Sequence, residues 1–256
     1  MSTNSRKPYV KLIQITDTHL LAETGTVFGF VDTEKSFKKV IARLREDLPV
    51  DAILVSGDLA DRGERGAYEK LRDGLESLKT PAFCIPGNHD EPDIMRSVFG
   101  DGCVRFVDFQ AFDDWVIVFL STQAPQRVDG YLSSDELMRL DEHLGKFADK
   151  HVLICLHHHP VPIRSSWMDA MRLSNPEPLF EIMDRHTNVA AIIWGHIHQE
   201  FESERKGVRL LGSPSTCVQF KPGAEQFDPT DLPPGYRWLH LLADGRIETG
   251  IRWLEP

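Results

Sequence analysis

Cysteine is scarce in this chain. Cys84, Cys103, Cys155 and Cys217 are four among 256 residues, widely spaced and without a CxxC pair. That argues against a disulfide frame or a thiolate zinc site and for reduced thiols acting as small buried hydrophobes. Positive charge is also in deficit: 29 lysines and arginines face 39 acidic residues, for a net charge of −10 and a pI near 5.5. No broad basic surface is available for a nucleic-acid backbone or an anionic membrane. A small anionic substrate is still allowed, because a local metal charge overrules the global field at short range. No apolar run approaches the length a bilayer-spanning helix needs, and the opening MSTNSRKPYV contains no leader-like apolar stretch. The expectation is a soluble, unexported, cytoplasmic protein with no nucleic-acid or membrane partner. Its oligomeric state is open between monomer and homodimer.

An apolar fraction of 41% can fill one large core, so residues 1–256 are expected to form a single domain. Short β-rich apolar runs recur at Val10 to Ile15, Ala52 to Val55, Ala82 to Ile85, Trp115 to Leu120, Val152 to Leu156 and Val189 to Trp194. They read as strands buried on both faces. Amphipathic helices lie between them. Phe37, Val40, Ile41 and Leu44 follow a cap at Asp32 or Thr33, and Ala67, Leu71, Leu75 and Leu78 repeat the spacing. Ser133 with Glu136 reads as a capping box ahead of Leu137, Leu140 and Leu144. Beyond His198 come shorter strands: a polar run to Arg205, Val208 to Leu211, and Trp238 to Leu241 with Ile247 to Trp253 across the hairpin signal Asp244-Gly245. Lys221 to Gly235 reads as a long surface loop. The fold class is α/β, with either a central mixed sheet or two stacked sheets flanked by helices.

What the chain does have is a set of polar motifs at the carboxyl ends of those strands, where α/β folds bind ligands. They are Asp17-Thr18-His19, Gly57-Asp58, Gly87-Asn88-His89-Asp90, His157-His158-His159-Pro160 and Gly195-His196-Ile197-His198. Seven of the eleven histidines fall inside them; His143, His151, His186 and His240 fall elsewhere and read as surface or satisfied residues. Nitrogen and oxygen donors without thiolates suit manganese, iron or zinc.

The spacing has mechanical consequences. In an extended strand end, Asp17 and His19 share one face and can converge on one ion, and His196 with His198 repeats the pattern. Asp58, after a glycine that lets the backbone turn sharply, can bridge two ions through its two oxygens. Asn88 can offer its carbonyl oxygen, which aims neighbouring His89 at whatever the metals hold. Each motif alone has an ordinary reading, as a polar strand end or a turn. The five in this order make a purely structural explanation improbable. Three consecutive histidines leave the ligand open between His157 and His158.

The ordered set DxH, GD, GNHD, HH and GHxH resembles the calcineurin-like metallophosphoesterase superfamily across nearly the whole chain. The resemblance implies a four-layer α/β-β-α sandwich of the metallophosphoesterase type with two metal ions. It implies Asp17, His19 and His198 as ligands of the first ion, Asn88, His157 and His196 of the second, and Asp58 as the bridge. His157 is favoured over His158 because the Pro160-Val161-Pro162 tail then matches the family's pattern. The runs Leu12 to His19, Leu156 to Pro160, Gly195 to Glu200 and Pro214 to Pro222 further resemble the bacterial class III 3′,5′-cyclic-AMP phosphodiesterases. The activity so implied is hydrolysis of cyclic AMP to 5′-AMP by in-line attack of a metal-bridging hydroxide. His19, Asp58, Asn88, His89, His157 and His198 would surround the phosphate. His89, oriented by Asp90, would protonate the departing 3′-oxygen. Broader phosphodiesterase activity on glycerophosphodiesters or 2′,3′-cyclic nucleotides, and a non-catalytic scaffold of the same fold, are the alternatives. Base selection would come from the irregular segment Pro160 to Pro176, where Trp167 either stacks on the base or packs, and from Lys221 to Gly235.

Overall fold

The computed structural model describes residues 8–27, 30–100 and 102–255. Two six-stranded sheets stack face to face. The first contains β1 (Tyr9–Ile15), β4 (Ala52–Ser56), β5 (Ala82–Ile85), β6 (Val104–Arg105), β15 (Gly235–Leu242) and β16 (Ile247–Trp253), in the order β16-β15-β1-β4-β5-β6. The second contains β7 (Phe109–Ala111), β8 (Trp115–Phe119), β9 (His151–Cys155), β10 (Val189–Trp194), β11 (Phe201–Arg205) and β12 (Val208–Gly212), in the order β11-β12-β10-β9-β8-β7. Two short ribbons pair β2 (Thr26–Val27) with β3 (Val31–Asp32) and β13 (Gln219–Phe220) with β14 (Pro229–Thr230).

Strand alternation sorts the apolar side chains into three layers. Leu12 and Leu54 face the second sheet and meet Leu153, Cys155 and Ile193, whereas Ile13, Ile53 and Val55 face helices. Those helices are α1 (Thr33–Asp47), α2 (Arg65–Glu76) and α3 (Pro92–Val98), which contribute Phe37, Leu44, Leu71, Leu75 and Met95. On the far face, Val152, Ile154 and Ile192 pack against α4 (Ser134–Lys146), α5 (Ser166–Asp169) and α6 (Pro176–Met183). Helix, sheet, sheet and helix thus form the expected four layers, and two stacked sheets replace the alternative of one central sheet. Among the described residues no helix is long and apolar enough to cross a membrane.

A buried polar tie crosses the inter-sheet layer near its centre, besides the bonds from Trp115 to the Leu242 carbonyl and from Arg209 to the Ile247 carbonyl. Gln14 donates to Ser56 Oγ at 2.7 Å and to the Trp194 carbonyl at 3.1 Å, while accepting from Ser213 at 2.6 Å. Fully buried Arg237 adds bonds to Ser213, Glu202 and the Gly212 carbonyl. Every group in this tie has a partner, as burial demands.

Some local expectations hold and others need correction. Asp32 is the α1 cap, accepting from Lys35 N. The Ser133 capping box is half formed: Ser133 Oγ accepts from Glu136 N, but the Glu136 carboxylate turns to Ser121 N at 3.0 Å and to Arg139. Helix α2 ends at Glu76, before Leu78, and the segment Lys221 to Gly235 contains β14 and the first residue of β15. All four cysteines are free; three are buried and Cys103 is half-buried.

Leu153 is fully buried between the sheets. Leu153→Ala is expected to cost about 2–5 kcal/mol in urea unfolding, with an unchanged denaturant slope. A loss under about 1 kcal/mol would show that the sheets close over the gap.

Candidate metal centre

The five motifs meet because their strands run in parallel. β1, β4 and β5 are parallel neighbours in one sheet, and β9 and β10 in the other, so their carboxyl ends open on one side of the molecule. Asp17 N bonds the Gly57 carbonyl and His19 N the Asp58 carbonyl, each at 3.0 Å, which seams the first two loops together. The donors are not on extended strand ends, contrary to expectation. Asp17, His19, Asp58, His196 and His198 all have φ between 43° and 66°. Left-handed backbone costs an L-residue about 1–2 kcal/mol. The alternation argument therefore fails as a mechanism: the strands end at Ile15 and Trp194, and sharp turns rather than pleating aim these side chains. Although Asp17 and His19 share a donor group, His196 and His198 fall in different ones.

The motif glycines make the room. A Cβ on Gly87 would lie 2.5 Å from Asp58 N and 2.7 Å from His157 Nε2, and one on Gly195 would lie 2.7 Å from Asp17 Oδ2. Gly57 both has φ of 94° and faces the His157 ring. In each case the missing side chain is space occupied by a donor.

The donors form overlapping groups. Asp17, His19 and His198 form one; Asp17, Asp58 and His157 a second; His157, His158 and His196 a third; His19, Asp61 and His89 a fourth. His198 Nε2 is 3.3 Å from Asp17 Oδ1 and 3.2 Å from His19 Nε2. Asp58 Oδ2 lies 3.4 Å from His157 Nε2 and 3.8 Å from His19 Nε2, between the two sides of the cluster. Asn88 Oδ1, His157 Nε2 and His196 Nε2 are buried without a hydrogen-bond partner in the described structure. Each such group carries a desolvation cost that a cation would remove. Nitrogen and oxygen donors, orphaned and converging, fit divalent ions.

Three of the rings are anchored on their opposite side. His19 Nδ1 meets Asp61 Oδ1 at 3.2 Å, His157 Nδ1 donates to the Ser56 carbonyl at 2.8 Å, and His198 Nδ1 donates to the Val218 carbonyl at 2.7 Å. Such partners fix the tautomer and leave Nε2 pointing inward. His158 is anchored in the same way, its Nδ1 2.7 Å from Thr122 Oγ1 and its Nε2 buried without a hydrogen bond, but its donor groups are fewer. It joins a group only with His157 and His196, whereas His157 also joins both buried carboxylates.

Charge follows the same geometry. Burial opposes ionisation of Asp58, yet His157, His89 and His19 hold its carboxyl well below the usual range. Burial likewise opposes charge on His157, but Asp58 and Asp17 raise it to about 9. Burial and neighbouring histidines push His158 and His196 well below the ordinary value, leaving neutral imidazoles suited to metal binding.

Asp90 does not orient His89. Its carboxylate accepts from the amides of Gly87, Leu59 and Ala60 and from the Tyr68 hydroxyl, locking the Asp58 loop to the Asn88 loop. Burial and the charge of Asp58 lift its pKa to about 6 against those donors. Half-exposed His89 is held instead by Asp61, whose carbonyl lies 2.9 Å from Nδ1. Burial disfavours charge on this ring as well, but Asp58 and Asp61 raise its pKa overall. Asp61 was missed in the sequence, where a single aspartate in Leu59-Ala60-Asp61-Arg62 has no distinguishing pattern. The Pro214 to Pro222 run, which carries no metal donor, also has a role at the site. Ser215 Oγ donates to the Asp17 carbonyl, Thr216 N to the Thr16 carbonyl and Phe220 N to the His198 carbonyl, and the Phe220 ring stacks on His198 at 4.1 Å.

The sequence and the fold have counterparts among known proteins. Residues 10–200 match the family model described as calcineurin-like phosphoesterase. The chain belongs to the calcineurin-like phosphoesterase family. It is 40% identical to the 3′,5′-cyclic adenosine monophosphate phosphodiesterase CpdA of Pseudomonas aeruginosa, covering 98% of this chain and 94% of that one. It is 39% identical to a 3′,5′-cyclic-nucleotide phosphodiesterase of Nostoc, covering 97% and 93%. A dimetal phosphatase from Danio rerio shares the fold, with a TM-score of 0.70 at 13% identity over 96% of this chain and 97% of that one. Members of this family are dinuclear metal-dependent enzymes.

Gly87→Ala tests the crowding argument. The variant is expected to remain folded by circular dichroism but to bind manganese at least tenfold more weakly by calorimetric titration. Wild-type affinity would show that the Asp58 and His157 side chains can move aside.

Proposed function

We propose that this chain is one phosphodiesterase domain that hydrolyses 3′,5′-cyclic AMP to 5′-AMP. The observation that carries the metal-dependent chemistry is the convergence of buried aspartate and histidine donors in overlapping groups linked through Asp17 and His157, with Asn88 Oδ1, His157 Nε2 and His196 Nε2 buried and without a hydrogen bond. Asp17, His19 and His198 would hold one divalent ion, Asn88, His157 and His196 the other, and Asp58 would touch both. Iron or manganese is favoured and zinc also suits the donor set. When bound, the two ions supply an activated water and neutralise charge on the phosphate.

The remaining work falls to the chain. Asp61, Ser56 and Val218 keep His19, His157 and His198 in register, so the phosphate meets a preset geometry. His89, its Nδ1 fixed on the Asp61 carbonyl, presents Nε2 to the departing oxygen. Water adds to phosphorus, the bond from phosphorus to the 3′-oxygen breaks, and His89 delivers the proton that the leaving oxygen requires. The choice of cyclic AMP among phosphodiesters is supported by the named activities of the relatives from Pseudomonas aeruginosa and Nostoc, which match this chain almost end to end.

His89→Ala is expected to retain both metals and to lose turnover by about 10²–10⁴-fold. Normal turnover with metals bound would remove His89 from the mechanism. A metal-reconstituted panel of 3′,5′-cyclic AMP, 3′,5′-cyclic GMP, 2′,3′-cyclic AMP and an aryl phosphodiester should show the highest kcat/KM for 3′,5′-cyclic AMP. Equal rates on all four would leave a phosphoesterase of broad specificity, and no hydrolysis of any would leave a scaffold.

A further inference from the structure

Helix α2 carries a polar group that apolar packing does not explain. Tyr68 is fully buried, its ring edge-on to Phe99 at 5.9 Å in the layer between the first sheet and its helices. A phenylalanine ring would make the same contacts, so the hydroxyl needs another account. It has two partners. It donates to Asp90 Oδ1 at 3.1 Å and accepts from Glu91 N at 2.8 Å. Burial, then the charge of Asp90, push the phenol's pKa up, so the hydroxyl keeps its proton.

Those two bonds complete a clamp around the turn from Gly87 to Glu91. At its start, Gly87 N donates to Asp90 Oδ2 at 2.9 Å, and Asp90 N donates to the Gly87 carbonyl at 3.3 Å. At its end, Glu91 N is held by Tyr68, from a helix outside the turn. Between these ties lie Asn88 and His89, and the His89 amide donates to Asp58 Oδ1 at 2.9 Å. Two devices therefore set His89. Asp61 fixes the rotation of the ring through Nδ1, and the Tyr68 clamp fixes the backbone that carries it. Without Tyr68, Asp90 would still accept from the amides of Gly87, Leu59 and Ala60, so the Asp58 and Asn88 loops would stay joined. What the hydroxyl adds is a fixed far end to the turn. A proton donor must lie within hydrogen-bond reach of the atom it serves, and misplacement by about 1 Å costs rate steeply.

We propose that Tyr68 is a positioning residue for turnover, its hydroxyl clamping the Gly87 to Glu91 turn so that His89 meets the departing 3′-oxygen. This deepens the phosphodiesterase reading and rests on it.

Tyr68→Phe tests the assignment by removing only the hydroxyl. Two diesters separate positioning from a plain structural role. The 3′-oxygen of cyclic AMP leaves as a sugar alkoxide that needs a proton, whereas the phenolate of an aryl phosphodiester leaves as the anion. With both metals retained, the variant should lose at least about tenfold in kcat on cyclic AMP, with KM changed by less than about twofold. On the aryl diester its kcat should fall by no more than about twofold. His89→Ala should show the same contrast, and adding Tyr68→Phe to it should cost nothing further. A Tyr68→Phe loss that is equal on both diesters, or that adds to the loss from His89→Ala, overturns the assignment. Hydrogen exchange by NMR gives a readout that needs no turnover. In the zinc-loaded protein the His89 amide should exchange at least about tenfold faster in Tyr68→Phe than in the wild type. Unchanged exchange also overturns the assignment. If exchange accelerates but the wild type hydrolyses no cyclic AMP, the phosphodiesterase reading fails and the clamp on the turn stands.

Discussion

The constraint on which the rest of the structure depends is the burial of two carboxylates, Asp17 and Asp58, among imidazoles at the joint between two sheets. A buried charge is tolerated only when it is compensated. Here compensation comes partly from backbone amides: both oxygens of Asp17 accept from His196 N, at 3.0 and 3.1 Å, and Asp58 Oδ1 accepts from His89 N at 2.9 Å. It comes partly from His157, pulled up to about 9 by the same carboxylates. Divalent cations would complete it, because Asn88 Oδ1, His157 Nε2 and His196 Nε2 are buried without a hydrogen bond.

Much of the surrounding architecture serves that burial. Left-handed turns at five donor residues and vacant Cβ positions at three glycines bring the side chains closer than regular strands could. The cost of those turns is held by loop-to-loop hydrogen bonds, with Asp90 locking the Asp58 and Asn88 loops and Ser215 and Thr216 clasping the strand end before Asp17. Strain concentrated at one place in an otherwise regular fold is the pattern expected of a functional site.

The donors were legible in the sequence because each motif is local and its residue types are restricted by metal chemistry. The six strands β1, β4, β5, β8, β9 and β10 were legible because burial on both faces leaves largely apolar runs. What escaped was of another kind. The carbonyls of Ser56 and Val218 belong to residues whose identity says nothing of their role, and Asp61 has no signature. The extended geometry assumed for Asp17 with His19 failed because period-two reasoning holds only while the chain remains a strand. The contribution of Pro214 to Pro222 became visible only when the fold brought it under His198 from some twenty residues away.

The most direct test of the account is anomalous diffraction at the metal edges from crystals of the reconstituted protein. The account predicts two ions about 3.5–4 Å apart, with Asp58 bound to both and His157, rather than His158, bound to the second alongside Asn88 and His196. A single ion, or a second ion held by His158 with Asn88 Oδ1 left unbound, would contradict it.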